Sequence, residues 1–546
     1  MNRGARLATS TWTLAIVVAI AAVLLTLAYT LQYATLNQAT YLLDPMQRAM
    51  PELFRRDWFV SETPAYLPVS GWLVQWLFVL DSEGATSIVI AHVVVTLATY
   101  GAIYALVTAA TGGGLRAFLL VASFATVTKV ISMGGSYLLV GYFQPSSLAT
   151  LGWIVGMAAL ARDRYLLCGV AVALAGALHA NFLVLGVGLF ALSALARRDL
   201  TRADWAKLMV PQLVVLAVFA PSLLAASGPS EEAVEILKTF HAPIHYSPPK
   251  LMGWIRNLIG WQIGAAAALY LLETSKPARV LWRFSLVAFA IVVLSTLVIR
   301  FTPFESLTQV RWSRIAPFGQ LACQVLIACA LVRQAMTPRT LTIRTRIIVG
   351  LALLVPLLAT GWYVPRLTPW PMIAAGAALM LLAVGPWPRI ARAAVGLLAV
   401  VALAHALWKS PRGPGLSMDP NASADEIALG QWVQANTPTD ALFLTPPNEY
   451  KFRLLARRSI IVDAKSAPLR PDLLVKWRDR LRAMVQFPDA ATFQAVEARF
   501  AELTAAQLRD VARLFGAEYI VVNVPTQFPD PPLYRNDAFA IYRAGP

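Results

Sequence analysis

The sequence predicts a polytopic α-helical membrane protein of about 13 transmembrane helices, followed by a C-terminal extracytoplasmic α/β domain. Three observations carry this expectation. Of 546 residues, 58% are hydrophobic and 14% charged, whereas soluble domains are roughly 45–50% apolar. Apolar runs long enough to cross a bilayer, which takes about 20 residues, recur through the first three-quarters of the chain. The runs are continuous instead of alternating, which favours helices over a β-barrel.

The expected spans lie near 9–30, 86–110, 116–133, 145–161, 165–178, 180–196, 206–226, 251–272, 280–299, 314–333, 346–362, 370–385 and 390–408. Residues 69–80 read as a further short apolar helix at the membrane interface. The run after Met1-Asn-Arg-Gly-Ala-Arg6 is long for a signal peptide, so it reads as a retained first helix. Residues 1–408 therefore form the membrane domain, with a first outer loop at 31–85, and residues 409–546 form the soluble domain.

The net charge of +17 is a topology signal and excludes no membrane reading. Residues 409–546 hold 17 Lys/Arg and 15 Asp/Glu, so the membrane part carries 29 against 14. Arg3, Arg6, Arg116, Arg162, Arg164, Arg197, Arg198, Arg202, Lys207, Lys276, Arg279, Arg283, Arg333, Arg339, Arg344, Arg346, Arg389 and Arg392 all fall on one side of the spans. Positive-inside bias makes that side cytoplasmic, with the N-terminus inside and the C-terminal domain outside. A nucleic-acid patch would not distribute its charge over alternate short loops. Cys168, Cys323 and Cys329 lie in or beside apolar runs and form no CxxC pair, so they read as small core residues.

The outer loops are longer and richer in aromatics, proline and histidine. In the first, Asp44-Pro45 reads as an N-cap with proline at the first helical position. Met46, Met50, Leu53 and Phe54 then share one face of an amphipathic surface helix. Asp57 would follow the C-terminal end of that helix, where the dipole disfavours an anion. It is either a functional carboxylate or an ion-pair partner of Arg55 or Arg56. Asn37 lies earlier in the same loop.

Further outer candidates follow in order. Gln144-Pro145 opens the fourth span with a helix N-terminus suited to anions, or with ordinary capping. His179 occupies the tight turn between spans five and six. His241, His245 and Tyr246 form a cluster in which Pro243 argues for irregular backbone. The two histidines suit a substrate phosphate or loop packing better than zinc. Arg311 and Arg314, spaced i, i+3, can grip a phosphate with planar donor forks, or meet lipid headgroups. The outer loops hold no Asp-x-Asp cluster, so no cofactor is assigned and a divalent cation stays open.

In the tail, Ser423-Ala-Asp-Glu426 is a capping box that starts a helix running to about Ala435. Strands are expected at 441–444, 459–462, 518–523 and 539–542, and helices at 449–455, 470–486, 489–500 and 504–515. The tail has neither a Gly-rich phosphate loop nor a nucleophile elbow. It would cover the outer face and shape a cleft, or bind an acceptor.

This layout resembles the GT-C superfamily of polyprenyl-phosphate-sugar-dependent glycosyltransferases. More narrowly, Leu43-Asp44-Pro45, Asp57-Trp58-Phe59, His241-Ala-Pro243-Ile-His245-Tyr246, Gln309-Val-Arg311-Trp312 and the run Trp432 to Pro447 resemble a bacterial GT-C-like membrane family of unknown function. The resemblance implies a multi-pass protein of the bacterial inner membrane with a periplasmic C-terminal domain. It implies sugar transfer from a polyprenyl-phosphate donor to an extracytoplasmic glycan, lipid or protein acceptor. It also implies a first-loop acid as base or metal ligand, Asp57 first and Asp44 second, with Arg311, Arg314, His241 and His245 on the lipid phosphate. A transporter or flippase of a lipid-linked intermediate, and a non-catalytic GT-C-like scaffold, are the competing readings.

Overall fold

A computed structural model describes residues 16, 19, 31–35, 37–63, 68–111, 114–127, 136–226, 230–241, 243–246, 251–273, 275–301, 310–336, 340–363, 416–468, 470–488 and 492–545. The expected spans at 9–30 (but for Ile16 and Ala19), 370–385 and 390–408 lie outside them.

The other expected spans are helices: Ala85–Thr111, Leu115–Val127, Pro145–Ala161, Tyr165–Leu178, Ala180–Leu195, Arg202–Ala226, Leu251–Leu271, Lys276–Phe301, Ala316–Met336 and Ile343–Tyr363. Four helical stretches among the described residues are long and apolar enough to cross a membrane. Their burial differs sharply. The stretch in Trp312–Gln334 is 94% buried and that in Arg202–Leu224 only 11%. The first packs against Leu251–Leu271, Lys276–Phe301, Leu115–Val127 and Ala85–Thr111 and forms the centre of the bundle. The second leaves Val210, Leu213, Val214, Val218 and Leu224 exposed, which costs little where lipid is the solvent.

Close helix approach depends on Gly169. A Cβ there would stand 2.5 Å from the Leu208 carbonyl oxygen and 2.6 Å from that of Lys207. Gly169→Ala is expected to cost about 1–3 kcal/mol by forcing the Tyr165–Leu178 and Arg202–Ala226 helices apart. An unchanged melting temperature in detergent would refute that packing.

The basic loops assemble at one end of the bundle. Arg197 is buried and bridges Asp163 (2.6 Å) and Asp199 (3.0 Å). Lys276 also reaches Asp163, at 2.8 Å. Arg333 reaches Glu273 at 2.6 Å. Among the described residues, the loops around Asp163, Arg197, Lys276 and Arg333 thus share one end of the fold.

At the other end the first loop and the C-terminal domain fold as a unit. Strand β1 (Leu31–Tyr33) pairs in parallel with β2 (Leu416–Pro420). Asn421 extends the seam, donating from its backbone N–H to the Tyr33 carbonyl at 2.7 Å and from Nδ2 to Thr35 Oγ1 at 3.0 Å. Beyond lie β3 (Leu442–Leu444), β4 (Ser459–Ile460), β5 (Tyr519–Asn523), β6 (Tyr534–Arg535) and β7 (Phe539–Arg543). They form a sheet in the order β4-β3-β5-β7-β6, parallel across β4-β3-β5 and antiparallel from β5 onward. The helix Ala424–Asn436 starts at the expected capping box, Ser423 and Glu426 each accepting the other's backbone N–H.

The first loop departs from expectation. Its helix runs Leu43–Ala49, with Leu42 at the N-cap and Asp44 inside the first turn. Residues 51–56 are turn, and Phe54 adopts φ +55, a left-handed conformation that a helix cannot contain. Met46, Leu53 and Phe54 are buried, although no single helix face joins them. They pack within protein, with the Leu43–Ala49 helix against the Pro68–Leu80 helix. That second helix exposes Trp72 and Trp76, as an interfacial helix would.

Candidate functional site

Asp57 caps the start of a helix and does not follow the end of one. The helix Trp58–Glu62 begins after it, and its Oδ1 accepts from the N–H groups of Phe59 (3.1 Å) and Val60 (3.3 Å). The dipole reading is therefore reversed, because an N-cap carboxylate sits at the favourable end. Its charge partner is neither Arg55 nor Arg56. Arg453 of the C-terminal domain reaches it with Nε at 2.6 Å and a second guanidinium nitrogen at 3.2 Å. The Ile460 N–H adds a bond at 3.1 Å. Asp57 and Arg453 are both 0% exposed, so the carboxylate is saturated and shielded from any acceptor in this conformation. Arg453 also binds Asp463 and Ser466, giving a buried two-carboxylate clamp around one guanidinium. Arg55 instead donates to the Pro51 carbonyl, and Arg56 to Glu518 and the Gly516 carbonyl.

Asp44 is partly exposed and pairs with Arg48 at 2.6 Å. Among the described residues, no hydrogen bond or ion pair joins it to the basic cluster described next.

Several of the remaining candidates lie within reach of one another. Asn37 Nδ2 donates to Gln144 Oε1 at 2.9 Å, tying the first loop to the start of the Pro145–Ala161 helix. Half-buried Tyr142, two residues before Gln144, lies within electrostatic reach of Tyr41, Tyr137, Arg314 and Tyr450, and burial raises its hydroxyl above the ordinary range. Arg314 stands in the 3₁₀ turn Trp312–Ile315 and contacts His179 Nε2 at 3.0 Å. A guanidinium only donates, so Nε2 is the acceptor and the ring proton sits on Nδ1. Burial and the Arg314 and Arg311 charges hold His179 neutral, well below its ordinary range.

Arg311 also links this group to the histidine loop. His241 ends a π-helical turn, Ile236–His241, and His245 lies in the helical turn Pro243–Tyr246. The segment is helical here, not irregular, because Pro243 opens a turn where no N–H is needed. Phe240 and His241 both meet the Trp477 ring edge-on, at 5.8 and 5.3 Å, which seats the loop on the C-terminal domain. Burial, with the Arg311, Lys465 and His245 charges nearby, pushes His241 down to about 3. Tyr246 closes the turn, and its side chain lies outside the described residues.

Folding therefore holds His241 neutral while the unfolded chain protonates it near pH 6.5. Between those values the unfolded state binds more protons, so this contribution to stability is present above pH 6.5 and lost as pH falls toward 3. His241→Gln should flatten the acid limb of stability measured by chemical unfolding from pH 4 to 7. Parallel limbs for wild type and variant would contradict this burial.

Two residues of the tail were not singled out from the sequence. Lys465, half-buried on the tail, lies near Arg311, and burial and that charge lower it. Glu449, in the turn beside Tyr450, is half-buried. Burial and the Glu426 carboxylate push it up to about 7. Among the described residues no three His, Cys, Asp or Glu side chains form a metal-ligand group.

The model of a domain of unknown function (DUF6798) matches residues 424–484, the segment holding the Arg453–Asp463 half of the clamp. No curated protein matches the chain in sequence. Among solved structures, ArnT from Cupriavidus metallidurans bound to undecaprenyl phosphate aligns over 98% of both chains at 14% identity, with a TM-score of 0.50. The apo state of ArnT aligns over the same 98% of both chains at 15% identity, with a TM-score of 0.45. At this identity the likeness bears on fold, and the chain has a GT-C-like fold: an apolar helical membrane domain whose first loop and C-terminal sheet domain close together over one end.

Proposed function

We propose that this protein is a membrane glycosyltransferase of the bacterial inner membrane that moves a sugar from a polyprenyl-phosphate donor to an extracytoplasmic acceptor. The observation that carries the reading is the grouping of Arg311 and Arg314 with His179, and of Arg311 with His241 and His245, in a GT-C-like fold. One relative of that fold was solved with undecaprenyl phosphate. The charge sorting of the loops supports a cytoplasmic N-terminus and a periplasmic C-terminal domain.

In this reading the bond between the anomeric carbon and the phosphate oxygen breaks, and the acceptor hydroxyl forms the new bond to that carbon. Negative charge grows on the departing lipid phosphate, where Arg311 and Arg314 stabilise it. Neutral His179 orients Arg314. The acceptor proton passes to a carboxylate. Asp57 is occupied by the clamp, which leaves Asp44 of the first loop and Glu449 of the tail, the latter poised by burial to exchange a proton near neutral pH.

The burial of Asp57 supports a second reading, a non-catalytic protein that binds the lipid phosphate without transfer. The test is a transfer assay with purified protein, radiolabelled polyprenyl-phosphate sugars and membrane extract as acceptor. Wild-type turnover, lost in folded Asp44→Asn or Glu449→Gln but kept per folded molecule in Asp57→Asn, is expected. Donor binding without turnover would favour the second reading. Movement of labelled lipid across proteoliposomes would instead make the protein a transporter.

A further inference from the structure

Lys465 occupies a turn that the fold fixes from several sides. Its backbone N–H and that of Ser466 both donate to Asp463 Oδ1 at 2.6 Å. Thr40 Oγ1 of the first loop donates to the Lys465 carbonyl at 3.4 Å. Ser466 Oγ donates to the Ala39 carbonyl at 3.2 Å. Trp477 Nε1 donates to the Asp463 carbonyl at 2.8 Å, and the same indole ring carries His241 on its edge. The turn is thus wedged between the first loop and the histidine loop.

The ammonium group has no carboxylate within ion-pair distance among the described residues. Asp463, the nearest acid in sequence, is taken up by Arg453, Ser466 and the backbone of the turn. The half-buried Lys465 ammonium lies within electrostatic reach of Arg311, and an anion bound near two such cations offsets their repulsion. The tail holds that lysine there by backbone bonds to a different part of the protein.

Resting on the lipid-phosphate reading above, we propose that Lys465 is a phosphate-binding residue of the same site. The C-terminal domain then supplies one of the cations on the anion and does more than cover it. Lysine suits this place because its charge ends a flexible stem and can follow a phosphate that arginines hold by their forks.

The test uses the full chain in detergent at low salt, titrated separately with a polyprenyl phosphate and with inorganic phosphate. Lys465→Ala should weaken polyprenyl-phosphate binding by about tenfold or more. Lys465→Arg should keep most of the affinity, and the exposed Lys476→Ala should change nothing. Because arginine stays charged, the Arg variant should hold its affinity to higher pH than wild type. An identical alkaline loss in both would overturn the assignment even if the Ala variant fails to fold. Equal lipid binding by wild type and folded Lys465→Ala overturns the role of Lys465 and leaves the lipid reading standing. Lys465-dependent binding of inorganic phosphate without lipid binding supports the anion site and removes the lipid reading. If wild type binds neither probe, both fall.

Discussion

Arg453→Met should cost about 3–5 kcal/mol of stability. The substitution preserves apolar bulk but leaves Asp57 and Asp463 buried without their shared cation. Both carboxylates are 0% exposed, so water cannot replace the lost charge. The N–H donors of Phe59, Val60 and Ile460 would remain on Asp57, but they offset only part of an unpaired buried charge. Asp57→Asn should cost less, because Arg453 keeps Asp463. The expected order of melting temperatures is therefore wild type, then Asp57→Asn, then Arg453→Met. The reverse order would show that the clamp is not what joins first loop to tail. A Met variant as stable as wild type would show that the three charges are separated in solution.

If the protein is the proposed glycosyltransferase, Arg311→Ala should slow transfer by about 10²–10³-fold, the range for removing one donor from a developing oxyanion. Arg311 is the common neighbour of the group: its charge reaches His179, His241 and Lys465. Its removal should also relieve repulsion there and let His241 protonate at higher pH. Arg311→Lys should restore part of the rate, since a point charge replaces a planar fork. Steady-state rates with a labelled donor, and the His241 titration by NMR, read the two effects separately. A wild-type rate in a folded Arg311→Ala protein would remove the anion-site reading.

What the sequence made legible follows from physical range. The helical bundle was readable because apolar length and helix-start chemistry are local: the expected start at Pro145 and the capping box at Ser423 both stand where expected. Arg311, Arg314, His241 and His245 stood out because they are basic side chains in loops between apolar runs, and the fold brings their charges within reach of one another or of His179. Asp57 was misread for two reasons. The apolar face of 46–54 looked like one continuous helix, and nothing local signalled the left-handed Phe54. Its partner, Arg453, lies 396 positions away, beyond any local pattern. Lys465 was invisible on the same ground, since it becomes a neighbour of Arg311 only when the tail docks.

The parallel pairing of β1 with β2 also sets an order of events during synthesis. Leu31 emerges early, yet its partner Leu416 is made only after the intervening helices. Until then β1 has an unpaired edge and Asp57 has no guanidinium. The seam can therefore close only on a chain translated past Leu416, with both segments delivered to the same compartment. A nascent chain with one helix inserted backwards would present the two strands to opposite sides of the bilayer and could never join them. The strand pair thus acts as a built-in check on threading.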